Sequence, residues 1–279
     1  MDALAAAYLA RLGLPDPGPP SSRALRRLHL AHLDRVPYET VGIALGRPVG
    51  IDPEVTARRI VCGWGGYCYH LNGAFAWLLD RLGYAVTRHV AGVQFPGTPP
   101  GADGNHLALS VLVDGRQWFV DVGLGNGPAE PIPLQEGEIR QGDFVYGMRR
   151  STATDGWRFE QDPRLTAYPG MDFEDRPAVT EQFEPMHRVL STDPASVFVA
   201  WVTVQRRTPA AVWTAKNCLF VRVDGAATHR ETIESPQRYW AILRDELHFD
   251  PPDLGARDRA DLWGRIWASH QAWLASRAG

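Results

Sequence analysis

The hydrophobic pattern of this chain changes period near Gly83, and that change restricts its fold more than any other feature. Ahead of it, Leu71, Ala74, Phe75, Leu78, Leu79 and Leu82 recur at steps of three and four, one stripe of a helix with Gly83 as its C-cap. Leu4, Tyr8, Leu9 and Leu12 form a shorter stripe closed by Gly13. Ser21-Ser22 offers N-caps for a second helix carrying Leu25, Leu28, Leu30 and Leu33, which Pro37 stops. Beyond Gly83 the period falls to two. Short alternating runs at 85–95, 106–113, 117–122, 144–149 and 157–161 are separated by Gly, Pro and Asp, as in a sheet or small barrel. Further strands are expected at 198–205 and 218–223, then a helix at 239–247 capped by Ser235, and a terminal helix at 262–278. Helices, then strands, then a mixture describe an α+β protein and not a doubly wound α/β sheet.

A length of 279 residues suggests two or three domains. With 44% hydrophobic and 22% charged residues, intrinsic disorder and coiled coil are excluded. A net charge of −3 gives no footprint for nucleic acid or an anionic membrane. The longest apolar stretch, 197–204, is too short to span a bilayer and reads as a strand. The N-terminus carries Asp2 and no basic region, so it does not read as a signal peptide. Three widely spaced cysteines make no disulfide framework, and a reduced, cytoplasmic protein is expected. Of 29 basic residues only Lys216 is a lysine, which reads as coding bias.

Chemistry first appears at Gly65-Gly66-Tyr67-Cys68. Cys68 falls in the first turn of the clearest helix, where unpaired N–H groups and the helix dipole favour a thiolate. The paired glycines would let a substrate approach the backbone closely. A second constellation spans 105–122, where Asp114-Gly115 signals a two-residue hairpin. That loop pairs Val113 with Arg116, and it sets His106 and Asp121 on one sheet face as diagonal neighbours. Leu107, Leu109, Val111, Val113, Trp118, Val120 and Val122 fall on the other face as core. A cysteine at a helix start with a His–Asp pair on a sheet follows the logic of a Cys-His-Asp triad.

Over nearly its whole length the chain resembles the arylamine N-acetyltransferase family. The opening helix Tyr8-Leu9-Ala10-Arg11-Leu12-Gly13-Leu14, the segment Leu28-His29-Leu30-Ala31-His32 with the corner Arg35-Val36-Pro37-Tyr38-Glu39, and Gly65-Gly66-Tyr67-Cys68 followed by Asn72 carry the likeness. So do His106, Asp121-Val122-Gly123-Leu124-Gly125, and Ser191-Thr192-Asp193-Pro194 with Phe198. The resemblance implies a helical bundle over 1–84 carrying Cys68, a β-barrel over 85–190 carrying His106 and Asp121, and a C-terminal α/β lid over 191–279. It implies ping-pong acyl transfer. Cys68 takes the acyl group from acyl-CoA (acetyl-CoA or larger) or a carrier-bound thioester, His106 moves protons, Asp121 orients His106, and an amine leaves as an amide. Tyr38, Trp64, Tyr67, Leu124 and Gly125 are the expected substrate-binding residues.

The sequence departs from the family pattern at four places: Trp64 stands for an arginine, His70 for a glutamate, Thr40 for an asparagine and Leu124 for a phenylalanine. Glu39 thereby loses its expected arginine partner, and the change at 124 opens the acceptor side. A related branch, the amide synthases that close macrolactams on carrier-bound polyketides, supplies the alternative reading and adds an acyl carrier protein as a partner. A thiol hydrolase and an inactive binding protein are lesser alternatives. No metal is expected: His29 and His32 lie one helical turn apart but have no third ligand, and read as structural. Gly123-Leu124-Gly125-Asn126-Gly127 resembles a phosphate loop, yet no helix pattern follows it. Cys62 and Cys218 read as packing residues.

Overall fold

The computed structural model describes residues 2–165, 168–225 and 227–278. Its first part is helical: α1 (Ala3–Arg11), α2 (Ser22–Arg35), the two-residue β1 (Tyr38–Glu39), and the short α3 (Val41–Ala44), α4 (Pro53–Val61) and α5 (Cys68–Arg81). The strands β2 (Ala85–Gln94), β3 (His106–Val113), β4 (Arg116–Val120), β5 (Ile132–Pro133), β6 (Gly137–Gln141), β7 (Phe144–Arg150), β8 (Gly156–Glu160) and β9 (Gly170–Glu174) follow. The remainder mixes α6 (Glu184–Thr192), α7 (Val197–Ala200), β10 (Thr203–Arg207), β11 (Ala211–Lys216), β12 (Leu219–Asp224), β13 (Thr228–Thr232), α8 (Pro236–Ala241) and α9 (Ala256–Ala278).

The eight middle strands form one antiparallel sheet in the order β5-β4-β3-β2-β9-β8-β7-β6. It curls nearly into a barrel. Gln141, at the end of β6, donates to the Glu130 carbonyl at 2.8 Å and accepts from the Glu130 N–H at 3.0 Å, drawing the two edges together just ahead of β5. The fold is therefore α+β: a helical N-terminus, a near-barrel, and a C-terminal α/β region.

The β3–β4 hairpin turns at Asp114 and Gly115, both in the left-handed region, with Val113 opposite Arg116 and Leu109 opposite Val120. Both faces of this ladder are covered. Leu107, Leu109, Val111, Val113 and Val120 pack with the helices, while Ala108 and Phe119 enter a second core inside the curled sheet. The helix α5 is buried around its whole circumference from Cys68 to Leu79, because α4 covers one side and β2–β3 the other. Its apolar stripe alone predicts a half-exposed helix.

A five-stranded sheet, β1-β10-β11-β12-β13, supplies the C-terminal layer. Its edge strand β1 comes from the N-terminal part, with Tyr38 opposite Gln205 and Glu39 opposite Val204. Thr40 reinforces the joint, donating to the Trp201 carbonyl at 3.2 Å and accepting from the Thr203 N–H at 3.0 Å.

Several elements differ from the sequence expectation. Residues 197–204 are not one strand. Ser196 caps the short helix α7 by accepting from the Phe198 N–H at 3.2 Å, and the strand begins only at Thr203. The apolar run satisfied a strand pattern, but a capping serine after the Asp193-Pro194 turn diverts the backbone. The helix α4 was readable from its start: Asp52 accepts from the Val55 N–H at 2.8 Å and Pro53 occupies the first turn. Cys62 is exposed, not packed, whereas Cys218 is buried.

Candidate active site

Cys68 is the first residue of α5, preceded by Tyr67 in extended conformation as N-cap. Its Sγ lies 3.8 Å from the Asn105 carbonyl oxygen. His106 opens β3, and its Nε2 meets Asp121 Oδ2 at 2.7 Å, with both side chains buried. The Asp121 carboxylate is held from two further sides. Its Oδ1 accepts from the Gly123 N–H at 2.8 Å and from Asn72 Nδ2 at 3.1 Å. With Nε2 committed to Asp121, Nδ1 is the ring nitrogen left free, and Cys68 is close enough to influence the charge on the ring. Burial opposes a charge on His106, yet the Asp121 charge and hydrogen bond, with a smaller contribution from Cys68, outweigh it and carry its pKa up to about 10.

Glycines make this closeness possible. A Cβ at Gly123 would stand 2.8 Å from the Cys68 Cα, so the loop after Asp121 lies directly on the start of α5. The pair Gly65-Gly66 serves a different purpose from the one expected. A Cβ on Gly65 would meet the Pro37 carbonyl oxygen at 1.9 Å, and one on Gly66 would meet the His70 Cβ at 2.5 Å. That room is filled by the protein itself and not kept for substrate.

Cys68 and His106 open into a cavity of about 310 Å³. Its apolar wall includes Val93, Phe95, Leu124, Phe198 and Trp201. A polar wall comes from one face of the β10–β11 ladder: Thr203 opposite Lys216 and Gln205 opposite Thr214. Asn105, Asn126 and Tyr168 complete its polar lining.

Of the expected substrate-binding residues, Tyr38 and Leu124 line this cavity. Trp64, Tyr67 and Gly125 do not. The Trp64 indole turns into the C-terminal core, stacks edge-on with Phe249, carries Arg59 on its face, and donates to Asp253 Oδ1 at 2.7 Å. The Tyr67 hydroxyl bonds to His187 Nδ1 at 2.6 Å, tying the N-cap of α5 to α6. Gly125 has φ +72° and lies behind the lining, where a Cβ would meet Gln205 Oε1 at 2.3 Å. Sequence reading missed the polar face of β10–β11. The only available signal was the alternation Thr203-Val204-Gln205 and Thr214-Ala215-Lys216, with buried Val204 and Ala215 facing the core.

The other singled-out positions are structural. Glu39 does have an arginine in range: burial pushes its carboxyl above its ordinary value, opposed by the Arg59 charge and the Val41 N–H at 2.6 Å. His32 Nε2 meets the Tyr8 hydroxyl at 2.8 Å, and His29 Nδ1 meets the Ala129 carbonyl at 2.9 Å. Burial drives their pKa values down to about 3 and about 4. The other ring nitrogen of His29, Nε2, lies 3.1 Å from the Asp121 carbonyl, so the ring sits between two backbone acceptors. Among the described residues no group of three His, Cys, Asp or Glu side chains could hold a metal ion. No described helix is long and apolar enough to cross a membrane.

A buried imidazole–carboxylate pair beside a helix-start cysteine, set between helices and a near-barrel, is an arrangement that enzymes with a cysteine nucleophile use, transferases and hydrolases alike. Comparison with known proteins narrows that class. The N-acetyltransferase family model matches residues 22–250, and the chain belongs to the arylamine N-acetyltransferase family, amide synthases included. It is 31% identical to the arylamine N-acetyltransferase of Mycolicibacterium smegmatis, over 90% of this chain and 94% of that one. It is 36% identical to proansamycin X synthase of Amycolatopsis mediterranei over 58% of this chain and 63% of that one. The solved structure of the Mycobacterium marinum arylamine N-acetyltransferase in complex with CoA superposes with a TM-score of 0.83 at 26% identity, covering 93% and 97% of the two chains. The protein is an acyltransferase of the arylamine N-acetyltransferase type.

Proposed function

We propose that this enzyme transfers an acyl group from a thioester donor to an amine through an acyl-Cys68 intermediate. The observation that carries the reading is the 2.7 Å contact between His106 and Asp121, with the ring lining the same cavity as Cys68. The Cys68 thiolate attacks the thioester carbonyl carbon. As the carbon–sulfur bond of the donor breaks, the departing thiolate takes a proton from the His106 imidazolium. His106, now neutral, accepts a proton from the amine as its nitrogen adds to the acyl-cysteine. The Cys68–acyl bond breaks, the amide leaves, and the thiolate–imidazolium pair is restored. Asp121 fixes the ring and offsets its charge without itself taking the proton.

Acyl-CoA is the first donor to test, since a relative was solved with CoA. Tyr38 and Leu124 belong to the substrate wall in this reading, and a cytoplasmic location suits a CoA-dependent enzyme with reactive thiols. The alternative is an amide synthase acting on a carrier-bound acyl chain, supported by the likeness to proansamycin X synthase and by Leu124 in the cavity wall. Intact mass after incubation with acetyl-CoA and with a longer acyl-pantetheine tests both. An acyl adduct on Cys68 that disappears on adding amine is expected. Turnover with water alone, or no adduct with any thioester, would overturn the transfer reading.

A further inference from the structure

Lys216 is the only lysine of the chain and, among the described residues of the cavity lining, the one side chain besides His106 that carries a positive charge. It ends β11 directly opposite Thr203, two residues from Thr214 on the same face, so an ammonium and two hydroxyl-bearing side chains converge on one wall. Its Nζ rests 4.8 Å from the centre of the Trp201 ring, which sets the ammonium against an apolar surface. No described carboxylate lies within 4.0 Å of it, and among the described residues of the lining there is no Asp or Glu. Burial lowers its pKa from the ordinary value, the effect of a cation partly removed from water without a counter-charge. The arginines, by contrast, are repeatedly paired with carboxylates, as Arg206 is with Asp34 and Arg158 with Asp172. An unpaired cation on the wall of a cavity that holds the reactive thiol is a recognition element for an anion.

We propose that Lys216, with the Thr203 and Thr214 hydroxyls, binds an anionic oxygen group on the molecule that occupies this cavity. The inference rests on the acyl-transfer reading for its purpose, though not for its binding chemistry. Two molecules could bring such a group: an amine acceptor bearing a carboxylate, or a thioester donor bearing the phosphate of its pantetheine arm. A cavity of about 310 Å³ takes a single substituted aromatic ring whole. A charge-assisted hydrogen bond in such a site is worth roughly tenfold or more in affinity.

The test uses the full chain as wild type, Lys216→Met and Lys216→Arg. In the acceptor arm, benzoate and benzamide protect Cys68 from iodoacetamide, read by peptide mass. In the donor arm, acetyl-phosphopantetheine and acetyl-pantetheine acylate Cys68, read by intact mass. Wild type is expected to prefer the anionic member of one pair at least tenfold, the pair identifying the source. Lys216→Met should abolish that preference and Lys216→Arg should retain most of it. Equal behaviour of both members in both arms, or a preference that survives in Lys216→Met, overturns the proposal. Failure of both thioesters to acylate Cys68 would overturn the acyl-transfer reading instead, while the alkylation arm still decides the role of Lys216.

Discussion

Asn72 and Asp121 are 49 residues apart and bond at 3.1 Å, joining the helix that starts with Cys68 to the loop that carries the carboxylate. The same amide donates to the Leu107 carbonyl at 2.7 Å and accepts from the Val122 N–H at 2.8 Å. One side chain, one turn along the helix from Cys68, thus fixes β3, the Asp121 side chain and the following backbone together. Asn72→Ala leaves a buried carbonyl and a buried N–H unpartnered, at a cost of roughly 2–4 kcal/mol. Denaturant unfolding should show that loss. Folded protein should acylate at least about tenfold more slowly, because the carboxylate keeps fewer restraints. Wild-type acylation by stopped-flow would refute the positioning role.

Asp121→Asn should fold and should lose most of its turnover. The amide cannot offset a charge on His106, whose pKa now stands at about 10. A raised folded pKa contributes stability that is complete below about 6.5 and is lost as pH rises through about 10. NMR of the His106 ring should therefore report a doubly protonated imidazole from neutral pH to near pH 10 in the wild type. In Asp121→Asn the transition should move several units down. An unchanged titration would remove Asp121 from the role proposed for it.

Acid should unfold this protein earlier than its carboxylates alone would. His29, His32 and His70 are buried, and burial lowers their pKa values to about 4, about 3 and about 3. The unfolded chain binds protons on these rings below about 6.5 while the folded chain does not. Each ring then removes roughly 1.4 kcal/mol of stability per pH unit, down to its folded value. Urea midpoints measured from pH 7 to pH 4 should fall steeply, and the fall should be shallower in His32→Gln. An identical slope in that variant would show that the ring is not neutral in the fold.

Trp64→Ala should damage stability and not specificity. The indole is buried against Phe249 and bonds to Asp253, away from the cavity. Truncating a buried tryptophan costs roughly 3–5 kcal/mol. The melting temperature should drop, while KM for donor and acceptor in the folded fraction stays within about twofold. A large selective change in KM would place Trp64 in substrate binding after all.

Leu124 is 8% exposed and lines the cavity, so Leu124→Phe fills space that an acyl chain or bulky acceptor would use. Small arylamines with acetyl-CoA are expected to be poor substrates of the wild type and to improve severalfold in Leu124→Phe. Longer acyl-pantetheine donors should lose by a similar factor. Competition assays with paired donors would decide it. Faster wild-type acylation by acetyl-CoA than by every longer donor, with efficient transfer to a simple aniline, would sink the expectation.

Local pattern alone determined a good part of this protein. The stripe from Leu71 to Leu82 places Cys68 at a helix start. Asp114-Gly115 specifies a two-residue turn, and that turn fixes the register that brings His106 and Asp121 to one face. Both follow from interactions a few residues apart, which periodicity and turn chemistry report directly. Tertiary structure decided the rest. It turned the Trp64 ring into the C-terminal core, put the Pro37 carbonyl against Gly65, and buried α5 on every side. It also brought Thr203, Gln205, Thr214 and Lys216 across from the C-terminal sheet to face Cys68. The pairing of β1 with β10, more than 160 residues apart, carries that wall into place. Such contacts arise from packing between distant segments, and no local period encodes which surface a side chain will meet there.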